Sequence, residues 1–165
     1  MLRFTAYLVF LLISNASFSQ ETSIQKERQF DFWIGDWEVY TFQTDSLVGK
    51  SKITSILNGK GIKEEYASIN TSYQGTSLNT YNSKREHWEQ YYIDITGLVL
   101  HLYGGFKENT MCLMNQVVME EGMLLNRITW QPLDHEEVRQ RWTQSSDNGK
   151  TWIVIFDGRY RKTQL

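Results

Sequence analysis

From Trp37 onward, apolar and polar positions trade places every second residue, in short runs that each end at turn-forming residues. A period of two is the spacing of a strand with one buried face. Trp37, Val39 and Thr41 alternate with Glu38, Tyr40 and Phe42 in the first run. Residues 51–57 follow, then a turn at Asn58-Gly59-Lys60-Gly61, then residues 62–69. Gln74-Gly75 turns into residues 76–81, and Asn82-Ser83-Lys84 into a long run over 86–95. Thr96-Gly97 leads to residues 98–103, which Gly104-Gly105 is expected to end. Residues 111–119 and 124–131 flank a turn at Glu121-Gly122. Pro132 to His135 reads as a loop before residues 137–144, and Asp147-Asn148-Gly149-Lys150 turns into residues 151–161.

Ten predicted strands with such short connections must be antiparallel neighbours, because a parallel crossover needs a dozen or more residues. Closing the sheet removes its exposed edges. The expected fold is therefore all-β: an antiparallel up-and-down barrel of about ten strands. An open two-sheet sandwich is the alternative. Residues 25–32 read as a short helix or turn leading into it. The single proline suits this pattern, since it falls in an expected loop and a proline cannot donate to a ladder. No repeat or linker interrupts the series, so one domain is expected.

The first twenty residues break the pattern. Arg3 precedes an apolar run from Phe4 to Ile13, broken only by Thr5, and Ser17 and Ser19 stand at −3 and −1 of a cut before Gln20. That is the layout of a secretory signal peptide. It predicts a signal over residues 1–19, a barrel domain over 20–165, and a secreted or periplasmic location. The run is too short for a permanent membrane span. Cys112 is the sole cysteine, so no lipid anchor is expected at the cut. An outer-membrane barrel is disfavoured by several short strands and by Glu137, Arg139 and Arg141 on an outward-looking face.

Composition narrows the classes further. The 165 residues are 41% apolar and 14% aromatic, which excludes a disordered chain. Seventeen basic against nineteen acidic residues give a net charge of −2, with no support for a nucleic-acid partner. One cysteine excludes an intrachain disulfide framework and any multi-cysteine metal site.

Gly35-Asp36-Trp37 at the start of the first strand resembles the opening of lipocalin-like barrels. The resemblance implies that Trp37 closes one barrel end and that Arg159 or Arg161 packs over it by a cation–π contact. Phe30 to Val39, Trp88 to Asp94, Gly104-Gly105, Arg127 to Trp130, Val138 to Gln140, Ser145 to Trp152 and Phe156 to Tyr160 together carry a narrower likeness. They resemble an uncharacterised family of secreted bacterial proteins with a lipocalin-like (calycin) barrel. That implies a fold and a location but no activity.

Nitrobindin, a haem-binding relative with a small ten-stranded barrel, opens on Gly-x-Trp-x-Gly-x-Gly and holds iron with a histidine near its C-terminus. Val39 and Thr41 replace its later glycines, and the last histidine is His135, so no haem or other cofactor is expected. Ser145 to Trp152 fits the Asp-box pattern known from sialidases. A single copy predicts a folded hairpin, with Asp147, Gly149 and Trp152 as structural residues, and not a glycosidase.

His87, His101 and His135 lack the spacing of a metal site, and none is expected. His101 should lie near Tyr92 and away from His87. The candidate binding residues come from the alternation itself. Trp88, Gln90, Tyr92 and Asp94 share one strand face, as do Glu64 and Tyr66. Ile128 and Trp130 share another, and Val138, Gln140 and Trp142 a fourth. If these faces point inward, the interior is aromatic with a few amides, hydroxyls and carboxylates, the make-up of a pocket for a small apolar or amphipathic ligand. A filled core is the alternative.

Three functions fit: a secreted binding protein anchoring its ligand at Gln90, Tyr92 and Gln140; a small enzyme with Glu64 or Asp94 as acid or base and His101 as partner; or an envelope interaction protein with a filled barrel. No nucleophile elbow or phosphate loop supports the second.

Overall fold

The computed structural model describes residues 25–163 except 121 and 135. The expected signal peptide over residues 1–19, and His135, lie outside the described residues. Ten strands form one closed antiparallel barrel: β1 Gly35–Thr41, β2 Leu47–Ile56, β3 Gly61–Ser68, β4 Gln74–Asn82, β5 His87–Asp94, β6 Val99–Lys107, β7 Thr110–Met119, β8 Gly122–Pro132, β9 Glu137–Ser145 and β10 Ile153–Lys162. Each strand pairs with its sequence neighbours, and β1 closes the ring against β10 with Trp37 opposite Lys162 and Val39 opposite Tyr160. The up-and-down barrel is thus the observed fold. Among the described residues no helix is long and apolar enough to cross a membrane.

Some boundaries differ from expectation for local reasons. Gly104-Gly105 does not end β6, which runs on to Lys107. Gly104 lies so close to the Cys112 carbonyl of β7 that a Cβ there would overlap it, so glycine permits the pairing to continue. Pro132 is the last residue of β8, opposite Val138, and not the start of a loop. A strand terminus tolerates the missing N–H. Trp152 precedes β10 and belongs to the hairpin before it.

Two short 3-10 turns, Lys26–Arg28 and Asp31–Trp33, lead into β1 and form the plug of one barrel end. Phe30 and Trp33 are fully buried there. Their rings stack at 5.1 Å, and Phe30 meets Trp88 and Trp130 edge-on at 5.6 and 5.1 Å. The Trp37 indole N–H donates to the Trp33 carbonyl at 2.9 Å, and that of Trp88 to the Lys26 carbonyl at 3.1 Å. Gly35 has φ of 154°, a region that favours glycine, and the Trp37 indole packs back against it.

Trp37 therefore sits at a closed end, as the lipocalin resemblance implies, but its expected cover is different. Tyr160 and Gly158 point inward, so Arg159 and Arg161 point out. Arg159 lies over Phe42 at 4.8 Å and Arg161 over Tyr40 at 4.6 Å, both paired with Asp45 and Glu137. Lys162, opposite Trp37 in the ladder, is the cation nearest that ring, at 5.9 Å. Arg139 grips Asp157 with two bonds of 2.8 and 2.7 Å on the same outer wall, with Arg141 beside it.

Candidate ligand-binding cavity

The opposite half of the barrel is hollow. A cavity of about 520 Å³ lies above the plug, toward the end that carries the β1–β2 and β3–β4 loops. Glu64, Tyr66, Gln90, Tyr92, Gln140 and Trp142 line it, six of the nine residues expected to bind a ligand. Tyr73, Leu100, Ile128, Phe156 and Tyr160 complete its walls. Among the described lining residues, Glu64 is the one that bears a formal charge.

The other three candidates do other work. Trp88 and Trp130 point inward as expected, but their positions along β5 and β8 place them in the plug. Asp94 holds the turn after β5. Its Oδ1 accepts from the Thr96 N–H at 2.8 Å, the Thr96 hydroxyl at 2.6 Å and the Leu98 N–H at 3.3 Å. Its Oδ2 accepts from the Tyr73 hydroxyl at 2.9 Å, and Tyr73 in turn shares a 2.5 Å bond with the Tyr92 hydroxyl. Burial opposes ionisation of Asp94, but the bonds from Thr96, Tyr73 and Leu98 hold its carboxyl below the ordinary range. Burial, and then the bond with Tyr73, push the Tyr92 phenol far up, so it stays neutral.

A polar layer forms the cavity floor. The Ser51 hydroxyl donates to Glu64 Oε1 and the Ser77 hydroxyl to Glu64 Oε2, each at 3.1 Å. Asn79 Nδ2 donates to the Ser77 oxygen at 3.0 Å, and Gln90 Nε2 to Asn79 Oδ1 at 2.8 Å. Every link in this chain donates toward the glutamate. The Tyr160 hydroxyl bonds to Gln140 Oε1 and stands 3.5 Å from Glu64 Oε1. It has one proton for the two, and the closer acceptor is Gln140. Glu64 is 3% exposed and all its partners are neutral. Burial pushes its carboxyl up to about 7, against the opposing pull of the Ser77, Ser51 and Tyr160 bonds.

The aromatic walls depend on missing side chains. Tyr66 lies across Gly49, Tyr92 across Gly75 and Phe156 across Gly158, each so close that a Cβ would overlap the ring. The glycines let these rings lie flat along the wall instead of standing into the lumen.

The Asp-box hairpin folds as its sequence implies. Asp147 accepts from the Ser145 hydroxyl at 2.7 Å and from the Thr151 N–H and hydroxyl at 2.9 and 2.7 Å. The backbone and hydroxyl of Thr151, then Ser145, hold its carboxyl at about 2. The Trp152 indole donates to the Gly149 carbonyl at 3.0 Å, with Arg127 over its ring at 3.9 Å.

His101 is the expectation most clearly overturned. The ladder sets it opposite Tyr91, one residue from the expected Tyr92, and a one-residue shift reverses the face. It therefore lies on the outer wall, stacked on Tyr91 at 4.1 Å. It meets His87 there, for both imidazoles bond to Glu89, at 2.9 and 3.1 Å. The Asn82 amide and then His101 hold the Glu89 carboxyl at about 2. His101 faces away from the lumen and is no partner for Glu64.

No family model and no curated protein matches this chain.

Proposed function

We propose that this barrel is a binding protein for a small, mostly apolar ligand. The observation that carries this reading is the cavity itself: about 520 Å³, walled by aromatic rings over a floor with a few polar groups. Small-molecule sites have this volume and make-up. The signal-peptide layout of residues 1–19 and the likeness to secreted bacterial calycin barrels support a secreted or periplasmic location. The intact mass of the exported protein should then match a chain that begins at Gln20, as glutamine or as its cyclised pyroglutamate.

Binding is tested with N-phenyl-1-naphthylamine, a neutral aryl probe whose emission rises in apolar surroundings. We expect saturable, one-to-one enhancement that the Trp142→Ala variant weakens. Native mass spectrometry of protein from its own host should show an added mass. Absence of saturable probe binding, with no added mass, rules the reading out.

A second reading, a partner-binding protein of the cell envelope, rests on a different surface. Leu78, Tyr91, Ile93 and Val99 are at least half exposed on the outer wall of β4, β5 and β6, with Leu78 opposite Tyr91 and Ile93 opposite Val99. Contiguous apolar surface of this kind marks contact sites. Replacing both Tyr91 and Val99 with Lys should abolish association with envelope fractions and leave probe binding intact. Unchanged association removes this reading.

A further inference from the structure

Given that the lumen is a binding site, the groups at its floor bear on which ligand it takes. Glu64 lies at the floor of the lumen with hydroxyl partners from β2, β4 and β10, and no cation accompanies it among the described lining residues. A carboxylate removed from water without a counter-charge is costly. Its neutral donors fill only part of its capacity, since an ionised carboxylate offers about four acceptor sites. Ser51 and Ser77 each take one, and Tyr160 is drawn toward Gln140. The rings of Tyr66, Tyr92, Trp142 and Phe156 surround the space above it. Ring faces attract cations and also accept apolar surface.

We propose that the cavity selects a primary ammonium on an apolar body, with the nitrogen donating to Glu64 and the hydrocarbon or aryl portion lying along the rings. An ammonium placed there gives the glutamate the counter-charge it lacks. It also gains the ring faces, which a neutral head group does not. A ligand carboxylate meets Glu64 with no cation to offset the repulsion. A neutral alcohol keeps the apolar contacts and gains only a hydrogen bond. The class is thus alkyl or arylalkyl amines small enough for about 520 Å³.

The pH response follows from the same contact. Glu64 faces Ser51, Ser77, Tyr66, Tyr92 and Tyr160, and burial holds these three phenols in their neutral form, so Glu64 is the group that titrates at the floor near neutrality. An incoming ammonium favours the ionised carboxylate, so amine binding expels a proton and strengthens as pH rises.

Calorimetric titration of the purified protein with n-octylamine, n-octanol and n-octanoate tests this, since the three share one chain. We expect octylamine to bind at least about tenfold more tightly than octanol at about pH 8, and octanoate not to bind. The amine preference should shrink as pH falls to about 5.5, where Glu64 is protonated. In Glu64→Gln, checked for fold by circular dichroism, octylamine and octanol should bind within about twofold of one another. Equal affinity of wild-type protein for octylamine and octanol overturns the proposal without use of any variant, as does an amine preference that survives Glu64→Gln. If N-phenyl-1-naphthylamine binds and the amine shows no preference, only this inference falls. If the probe and the octyl series all fail and protein from its own host carries no added mass, the binding reading falls with it.

Discussion

Between about pH 4.5 and 7, Glu64 holds a proton in the folded barrel that it releases in the unfolded chain. The folded state binds more protons in that window, so stability is full below it and is lost as pH rises through it. A shift of this size corresponds to about 3 kcal/mol for a fully buried group. Urea midpoints should therefore fall between about pH 5 and 8, and Glu64→Gln should flatten that slope. A wild-type midpoint that rises over this range contradicts the assignment. Glu89 and Asp147 act with the opposite sign. Their carboxyls sit at about 2, so they lose stabilising bonds as pH falls below the ordinary carboxylate range.

Glu64 was legible in the sequence because it shares a strand face with Tyr66. Its partners were not. Ser51 and Ser77 stand 13 residues away and reach it through the registers of the two neighbouring hairpins, while Tyr160, 96 residues away, reaches it only across the closed barrel. Alternation shows which face a residue occupies but not how deep along the barrel it lies. For the same reason alternation alone does not separate Trp88 and Trp130, which belong to the plug, from the residues of the lumen.

Among the elements, the two 3-10 turns before β1 carry more of the fold than their length suggests. Phe30 and Trp33 have no exposure and touch rings from β5, β8 and β10. Phe30→Ala should cost about 3–5 kcal/mol, because a buried ring leaves both lost transfer energy and an unfilled space. Thermal or urea unfolding measures it; a loss below about 1 kcal/mol means the plug is not part of the cooperative core. The hairpin after β9 offers a second check. Asp147→Ala removes acceptors for Ser145 and Thr151 at once, and should lower the melting temperature and erase part of the acid-range pH dependence.

Hairpin registers mark where reading from sequence reached its limit. The β5–β6 pairing places His101 opposite Tyr91, and a register one residue out turns an outer histidine inward. Arg159 and Arg161 failed by the same rule, because their outward parity follows from Tyr160 pointing in. By contrast, the bonding of the Asp-box hairpin was legible, since its hydrogen bonds join residues two to four positions apart, although β10 begins at Ile153 and not at Thr151.

The molecule as a whole is layered along its axis: an aromatic plug, a polar floor and a ring-walled lumen. The order and direction of its strands follow from short turns and alternating faces, which is why the topology was readable. Whether the barrel is hollow was not readable, since that depends on how side chains lean against their neighbours. Gly75→Ala tests the wall. The added methyl meets the Tyr92 ring and should drive it into the lumen, so N-phenyl-1-naphthylamine affinity should fall by at least about tenfold. Retained affinity means the wall yields elsewhere.

The three glycines under Tyr66, Tyr92 and Phe156 also bear on how such a barrel can change over generations. A glycine codon becomes an alanine codon by one base change. Each of these changes adds only a methyl group on the lumen side and removes no ladder bond. A chain of this design therefore stands a few point mutations from a barrel with a narrower lumen, and a narrower one stands as close to widening. The volume of the lumen can be gained or lost while the scaffold is inherited intact.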